Sequence, residues 1–261
     1  HLSIRRQRQM CIRDRYMNFD QLLDLFFPAL CVGCGGLGKY LCIKCLKKDM
    51  KQIYQQPCPI CHEVCFSGKG IHQDCLAYSY LDGLYSVAAK SDLLELLLSK
   101  GKYGFQYKVY DDLGKLLAVK SQEWDLGADP IVSFVPLSDY RLNWRGFNQS
   151  YLLARGLAAG RTLKVAALLA RRHNKHNQVG LTKELRLQNL HNQFYLLGES
   201  ERVLEDEVGL HLEGTKQIQQ SKTVLLVDDV YTTGATLQQS AKAIKEKHPG
   251  VEVIGITVLR A

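Results

Sequence analysis

The spacing of the cysteines constrains this chain more than any other feature. Cys31-x2-Cys34, Cys42-x2-Cys45, Cys58-x2-Cys61 and His72-x2-Cys75 form four pairs, each with two residues between its ligands. A Cys-x-x-Cys turn sets two thiolates on one side of a metal, and two such turns complete the tetrahedron that zinc prefers. Four turns therefore provide for one or two structural zinc ions. Sequential grouping gives Cys31, Cys34, Cys42 and Cys45 to one ion, and Cys58, Cys61, His72 and Cys75 to the other. An interleaved grouping satisfies the same spacing, and Cys65 could replace His72. The competing reading is redox chemistry at one pair. A stretch of about 45 residues with so few apolar core positions needs a metal to fold.

Seven of the nine cysteines lie between 31 and 65, Cys75 and Cys11 complete the set, and the 186 residues after Cys75 hold none. Secreted disulfide proteins do not distribute their cysteines this way; clustered pairs point to metal in a reducing compartment. A cytoplasmic location is expected. The apolar run Leu22–Leu30 is short, holds Asp24 and Pro28, and lacks a small-residue cleavage site. No stretch reaches the roughly 18 apolar residues that a bilayer span requires, so membrane insertion is not expected. The formal charge is +8, but residues 1–16 carry five Arg and one Asp, which leaves about +4 for the rest. Those 16 residues show no periodicity, whereas Met17 opens MNFDQLLDLFFPAL. They read as a non-native or disordered tail, with a basic arm for nucleic acid or membrane as the alternative.

The chain changes character near residue 80. The expected division is a zinc-ribbon domain at 17–80 and an α/β domain at 81–261. In the second part, strand-like Gly83–Ala89, Pro130–Pro136, Val165–Ala170, Val224–Val227 and Val251–Leu259 alternate with helical Ser91–Ser99, Tyr107–Lys120, Gln149–Gly160 and Gly234–Lys247. Such alternation implies a mostly parallel sheet with flanking helices.

Within that part, Val224–Thr236 reads VLLVDDVYTTGAT. A buried apolar strand ends in Asp228 and Asp229; Thr232, Thr233, Gly234, Ala235 and Thr236 follow; an amphipathic helix comes next. Strand, small-residue turn and helix N-terminus make an anion cradle, in which backbone N–H groups and the helix dipole face a phosphate. Paired acids can accept hydrogen bonds from the vicinal hydroxyls of a ribose. A Walker B reading would need a Gly-x-x-x-x-Gly-Lys-Ser/Thr loop, and a Rossmann reading Gly-x-Gly-x-x-Gly; the chain has neither. Simple helix capping explains the threonines but not the acids.

VLLVDDVYTTGAT resembles the phosphoribosyl-pyrophosphate (PRPP) motif of type I phosphoribosyltransferases. Together with the zinc knuckles and Arg145-Gly-Phe-Asn-Gln149, it is similar to the ComF family, competence-type proteins with a double zinc ribbon before a phosphoribosyltransferase domain. The resemblance runs from about Met17 to the end. It implies a type I phosphoribosyltransferase-like parallel sheet preceded by a small zinc-ribbon domain. It implies that Asp228 and Asp229 hold the ribose hydroxyls and that Thr232–Thr236 wrap the 5′-phosphate. Lys102 would contact pyrophosphate from a loop after the first helix, with Lys100 in reserve. Arg141, Arg145 and Asn148 would face the site, and the segment from Arg171 to Asn189 would form a loop over it.

Three functions are open at this point. One is transfer of the phosphoribosyl group from Mg-PRPP, with Asp228, Asp229 and Lys102 as the catalytic residues. The second is non-catalytic handling of single-stranded DNA during uptake, alongside uptake-machinery proteins, as the resemblance implies. Arg141, Arg145, Arg171 and Arg172, with Tyr103, Tyr107, Tyr140 and Trp144 interleaved, suit single strands. A third is PRPP sensing.

Overall fold

The computed structural model describes residues 28–66, 68–104, 106–172, 193–198, 218 and 221–261. Two compact units meet in sequence between Asp49 and Met50. The described part of the first is a pair of turns closed by an isolated bridge from Leu30 to Leu37, followed by helix α1, Ile43–Asp49. Helix α1 buries no residue.

The second unit is built on one parallel sheet. Strands β1 (Gly83–Ala89), β2 (Ile131–Phe134), β5 (Thr223–Tyr231) and β6 (Glu252–Arg260) lie in the order β1-β6-β5-β2. All three pairings are parallel. β5 and β6 are buried almost from end to end, as expected of central strands covered on both faces, whose sequences are continuous apolar runs. β3 (Leu169–Arg171) and β4 (Phe194–Leu196) form a separate antiparallel pair. Val165 joins the main sheet only through a single bridge to Val132, so the expected strand at Val165–Ala170 divides between the two.

The helices follow from their apolar spacing and caps. α2, Asp92–Tyr103, starts where Ser91 accepts from the Leu94 N–H, and buries Leu94, Leu97 and Leu98. α3 spans Lys108–Lys120 and α5 spans Gln149–Arg161. These two approach so closely that a Cβ on Gly156 would sit 2.6 Å from the Gly114 Cα. Arg155 and Asp111 close the same face at 2.8 Å. α4, Asp139–Arg145, is a short helix. Ser138 caps its start and Gly146, at φ +79°, ends it. α6, Ala235–Lys245, follows β5.

Two boundaries move in ways that matter for the site. α2 does not stop at Ser99 but runs on to Tyr103, so Lys100-Gly101-Lys102 is its last turn and not a loop. Gly101 is buried where a Cβ would lie 2.8 Å from the Tyr110 ring, and its small size lets α2 continue against α3. β5 continues past Val227 through both acids to Tyr231, which fixes Asp228 and Asp229 on ordered backbone.

The segment from 50 to 72 lies along the outer edge of β1. Gln56 donates from Nε2 to the Ser86 carbonyl (3.1 Å) and accepts from the Ser86 N–H (3.0 Å), so an amide side chain takes the place of a neighbouring strand. Ile53 N–H donates to Val87 O, Ala89 N–H to Lys51 O, and Leu84 N–H to Lys69 O. An open strand edge is thereby covered. Cys58, Cys65 and Ile71 join the same apolar core as Leu81, Leu84, Val224 and Val253.

Candidate functional site

Asp228 and Asp229 stand near the carboxyl end of β5, where open α/β sheets place their ligands. Both are buried, with 8% and 5% of their surface exposed. Asp228 Oδ1 accepts from Ser150 Oγ (2.9 Å) and from the Asp229 N–H (2.9 Å). Burial, and then the Asp229 carboxylate beside it, push the Asp228 carboxyl up to about 7 against the pull of Ser150, the backbone N–H and Lys102. Asp229 pairs with Lys102, whose Nζ lies 2.5 Å from Oδ2. Because α2 extends through Lys102, its last turn delivers this ammonium to the acids; Lys100 stays exposed. Two residues are more than half a helical turn apart, so Lys100 and Lys102 face different ways and Lys102 is the one that meets the acids.

Beyond Tyr231 the chain turns outward. Thr232, Thr233, Ala235 and Thr236 are exposed, whereas Gly234 is buried. Gly234 serves as the N-cap of α6 at φ +74° and offers no side chain to the first N–H groups. Only the Ala235 N–H reaches a nearby hydroxyl, Thr233 Oγ1 at 3.5 Å. The helix start is thus a row of outward N–H groups with two threonine hydroxyls beside it, a geometry suited to an anion. A Cβ on Gly234 would lie 2.2 Å from Tyr231 Oη, so glycine is required by space as well as by φ. A cavity of about 260 Å³ adjoins this loop, between α2 and the ends of β5 and β6, with Leu98, Lys102, Tyr103, Val230, Thr232 and Leu259 among its walls.

The Arg145–Gln149 motif takes a different place from the expected one. Arg145 is buried, and its Nη1 donates to Gln149 Oε1 at 2.5 Å, inside the corner between α4 and α5. Asn148 caps α5 by accepting from the N–H groups of Ser150 and Tyr151, and its Nδ2 donates to Val135 O at the end of β2. The motif is a bracket that presents Ser150 to Asp228. Ser150 is the residue that sequence reasoning missed. Arg141 is exposed on α4, near enough to Arg171 on β3 for the two charges to oppose each other. The remainder of the expected covering loop, from His173 to Asn189, lies outside the described residues, as do residues 1–16.

The ligand atoms of Cys31, Cys34, Cys42 and Cys45 lie within 4.8 Å of one another, as do those of Cys58, Cys61, His72 and Cys75. Tetrahedral zinc with Zn–S bonds of about 2.3 Å puts sulfurs about 3.8 Å apart. Cys34 Sγ and Cys42 Sγ are 3.8 Å apart, and Cys61 Sγ is 3.2 Å from His72 Nδ1. The Cys42 N–H points at Cys31 Sγ (3.4 Å) and the Cys45 N–H at Cys42 Sγ (3.5 Å), which favours thiolates. Both clusters therefore fit zinc, in sequential grouping. Cys65 stands outside the second cluster, buried in the core with its N–H bonded to Gln56 O.

These features find relatives among known proteins. No family model matches the chain. It is 24% identical over 234 residues to Competence protein ComFC of Bacillus subtilis, covering 85% of this chain and 84% of the relative. It is 31% identical over 170 residues to Competence protein F of Haemophilus influenzae, covering 62% and 66% respectively. This is a ComF-type chain. Solved structures similar to it include a glutamine PRPP amidotransferase from B. subtilis complexed with ADP and GMP (TM-score 0.35, 16% identity). The match covers 64% of this ComF-type chain but only 28% of the amidotransferase. Another is an adenine phosphoribosyltransferase from Trypanosoma brucei in complex with AMP, pyrophosphate and ribose-5-phosphate (TM-score 0.31, 11% identity, 68% and 83% covered). Likenesses this slight carry no argument by themselves; the α/β class stands on the all-parallel order β1-β6-β5-β2. No helix among the described residues of the ComF-type chain is long and apolar enough to cross a membrane.

Proposed function

We propose that this chain binds Mg-PRPP and transfers its phosphoribosyl group to a nucleophile with release of pyrophosphate. The observation that carries the reading is the closeness in sequence of Asp228 and Asp229 to an uncapped helix start at Gly234, with Lys102 held against the acids. In this reading the N–H groups and hydroxyls of Thr232–Thr236 hold the 5′-phosphate, and the two carboxylates accept from the ribose 2′ and 3′ hydroxyls. Lys102 leaves Asp229 to meet the pyrophosphate. Asp228, poised near neutrality, gives up its proton as the ligand's hydroxyls arrive, and the pair then steadies positive charge on the ribose ring. Magnesium would enter with the pyrophosphate and neutralise its charge. Among the described residues the clusters suited to a resident metal are the two cysteine sets, and these support structural zinc.

A second reading keeps the fold and drops turnover, with the protein handling single-stranded DNA during uptake, together with uptake-machinery proteins, or sensing PRPP. The exposed Tyr103, Tyr140 and Trp144, with Arg141 on the same short helix as two of them, favour it. Tyr103 and Trp144 lie 5.9 Å apart, and base stacking on such rings tolerates any sequence.

Calorimetric titration of Mg-PRPP, beside an Asp228→Ala, Asp229→Ala double variant, tests the first reading. Binding by the parent and its loss in the variant are expected, followed by pyrophosphate release with an acceptor. A folded, zinc-loaded parent that does not bind PRPP removes it. Affinity for a single strand that falls steeply with salt then supports the second.

A further inference from the structure

The second cysteine cluster and the phosphate loop are joined by two side chains that neither site uses. Arg260, near the end of β6, is 8% exposed. Its Nη1 donates to the carbonyl of Pro57, the residue before the metal ligand Cys58. Its guanidinium lies over the Tyr231 ring, 5.1 Å from the centroid. Tyr231 is the last residue of β5 and is 5% exposed. Its hydroxyl lies against Gly234, within 2.2 Å of where a Cβ would stand, and Gly234 is the cap that opens the anion cradle. The path from metal ligand to phosphate loop is thus Cys58, Pro57, Arg260, Tyr231, Gly234, every step a packed contact or a covalent bond.

Charge gives the path a reason. Zinc held by three thiolates and a neutral imidazole carries a net charge of −1, and on the side where Cys58 is buried that charge favours a cation near it. Arg260 lies close enough to Cys58 to feel its charge. A loaded cluster therefore attracts the guanidinium, and the guanidinium holds the face of the Tyr231 ring. With the metal gone, or Arg260 replaced, the ring loses its clamp, and the wall that keeps Gly234 in its left-handed turn becomes free to move.

We propose that Arg260 and Tyr231 are positioning residues through which the Cys58–Cys61–His72–Cys75 cluster sets the shape of the phosphate loop. The cluster then does more than fold its own segment: its metal content governs how well Thr232–Thr236 receives a phosphate. The second half of this statement rests on the phosphate reading above. The first half concerns backbone geometry alone.

Two variants test it, Arg260→Gln and Tyr231→Leu, each with zinc content, amide ¹⁵N–¹H spectra and calorimetry of Mg-PRPP and of inorganic phosphate. The expected result for Arg260→Gln is full zinc content and a folded spectrum, with the Thr232–Thr236 amide peaks shifted or broadened and PRPP binding weakened at least about 10-fold. Tyr231→Leu should move the same peaks while the cluster keeps its zinc. Stripping the metal from the parent should move them too. Unmoved Thr232–Thr236 peaks in zinc-loaded Arg260→Gln overturn the proposal, as does loss of the cluster's zinc with those peaks unmoved. If the parent binds no PRPP, the function proposed above fails, and the amide peaks still decide whether the path exists.

Discussion

Asp228 is a buried acid whose folded-state pKa lies near 7, and this makes the site costly to the fold at the pH where it would work. The ordinary value is 3.8, so the folded protein holds this proton more tightly than the unfolded chain does. Between pH 4 and 7 the unfolded state binds fewer protons, and stability falls as pH rises through that window. Below 3.8 the cost is absent; above 7 it is complete. Raising the carboxyl from 3.8 to about 7 corresponds to about 4 kcal/mol. Asp228→Asn keeps an oxygen to accept from Ser150 and from the Asp229 N–H, and removes the charge. The variant should therefore be more stable than the parent at pH 8, by about 4 kcal/mol at most, and the gain should shrink by about 2 kcal/mol at pH 5.5. Denaturant unfolding of both proteins at each pH, with zinc present, gives the comparison. Measuring the difference between the two proteins at one pH cancels proton uptake by cysteine and histidine. A stability difference that does not change between pH 5.5 and 8 refutes the argument. The variant should also lose PRPP binding, an instance of stability exchanged for function.

Further outcomes concern the metal and the packing. Cys75→Ser should lower the unfolding midpoint of the 50–261 unit, because that cluster's segment covers β1, whereas Cys34→Ser should leave that transition in place; zinc analysis and calorimetric scanning check both. Gly156→Ala should destabilise by about 1–3 kcal/mol, since its Cβ would meet the Gly114 backbone at 2.6 Å and the two helices must separate; denaturant unfolding measures it.

The parts of the fold that were legible are those in which one residue pattern has one physical solution. VLLV followed by two acids is a buried strand at a sheet's carboxyl end, and Ser91 before a leucine stripe is a helix start. The metal clusters were legible because two-residue spacing permits few geometries, although only the structure assigns His72 and leaves Cys65 in the core. An arginine beside an anion site and an arginine bracing a helix corner look alike in sequence; the bond from Arg145 to Gln149, four residues on, appears only in the structure. Lys102 was ambiguous because glycine usually ends a helix; here Gly101 is inside one, where contact with Tyr110 outweighs its poor propensity. Ser150 could not be singled out, since its partner Asp228 is 78 residues away.

The order β1-β6-β5-β2 has a consequence for the newborn chain. β6 follows β1, β2 and β5 in sequence, yet it stands between β1 and β5 and pairs with both. A nascent chain that has reached α6 holds the acids and the glycine turn but has no central strand to set them beside β1. Its β1 must wait for a partner about 170 residues later in sequence, a separation that slows folding. The metal segment, by contrast, is complete before β1 emerges. Synthesis thus produces the segment whose cysteines can close locally well before the strand that joins β1 to β5.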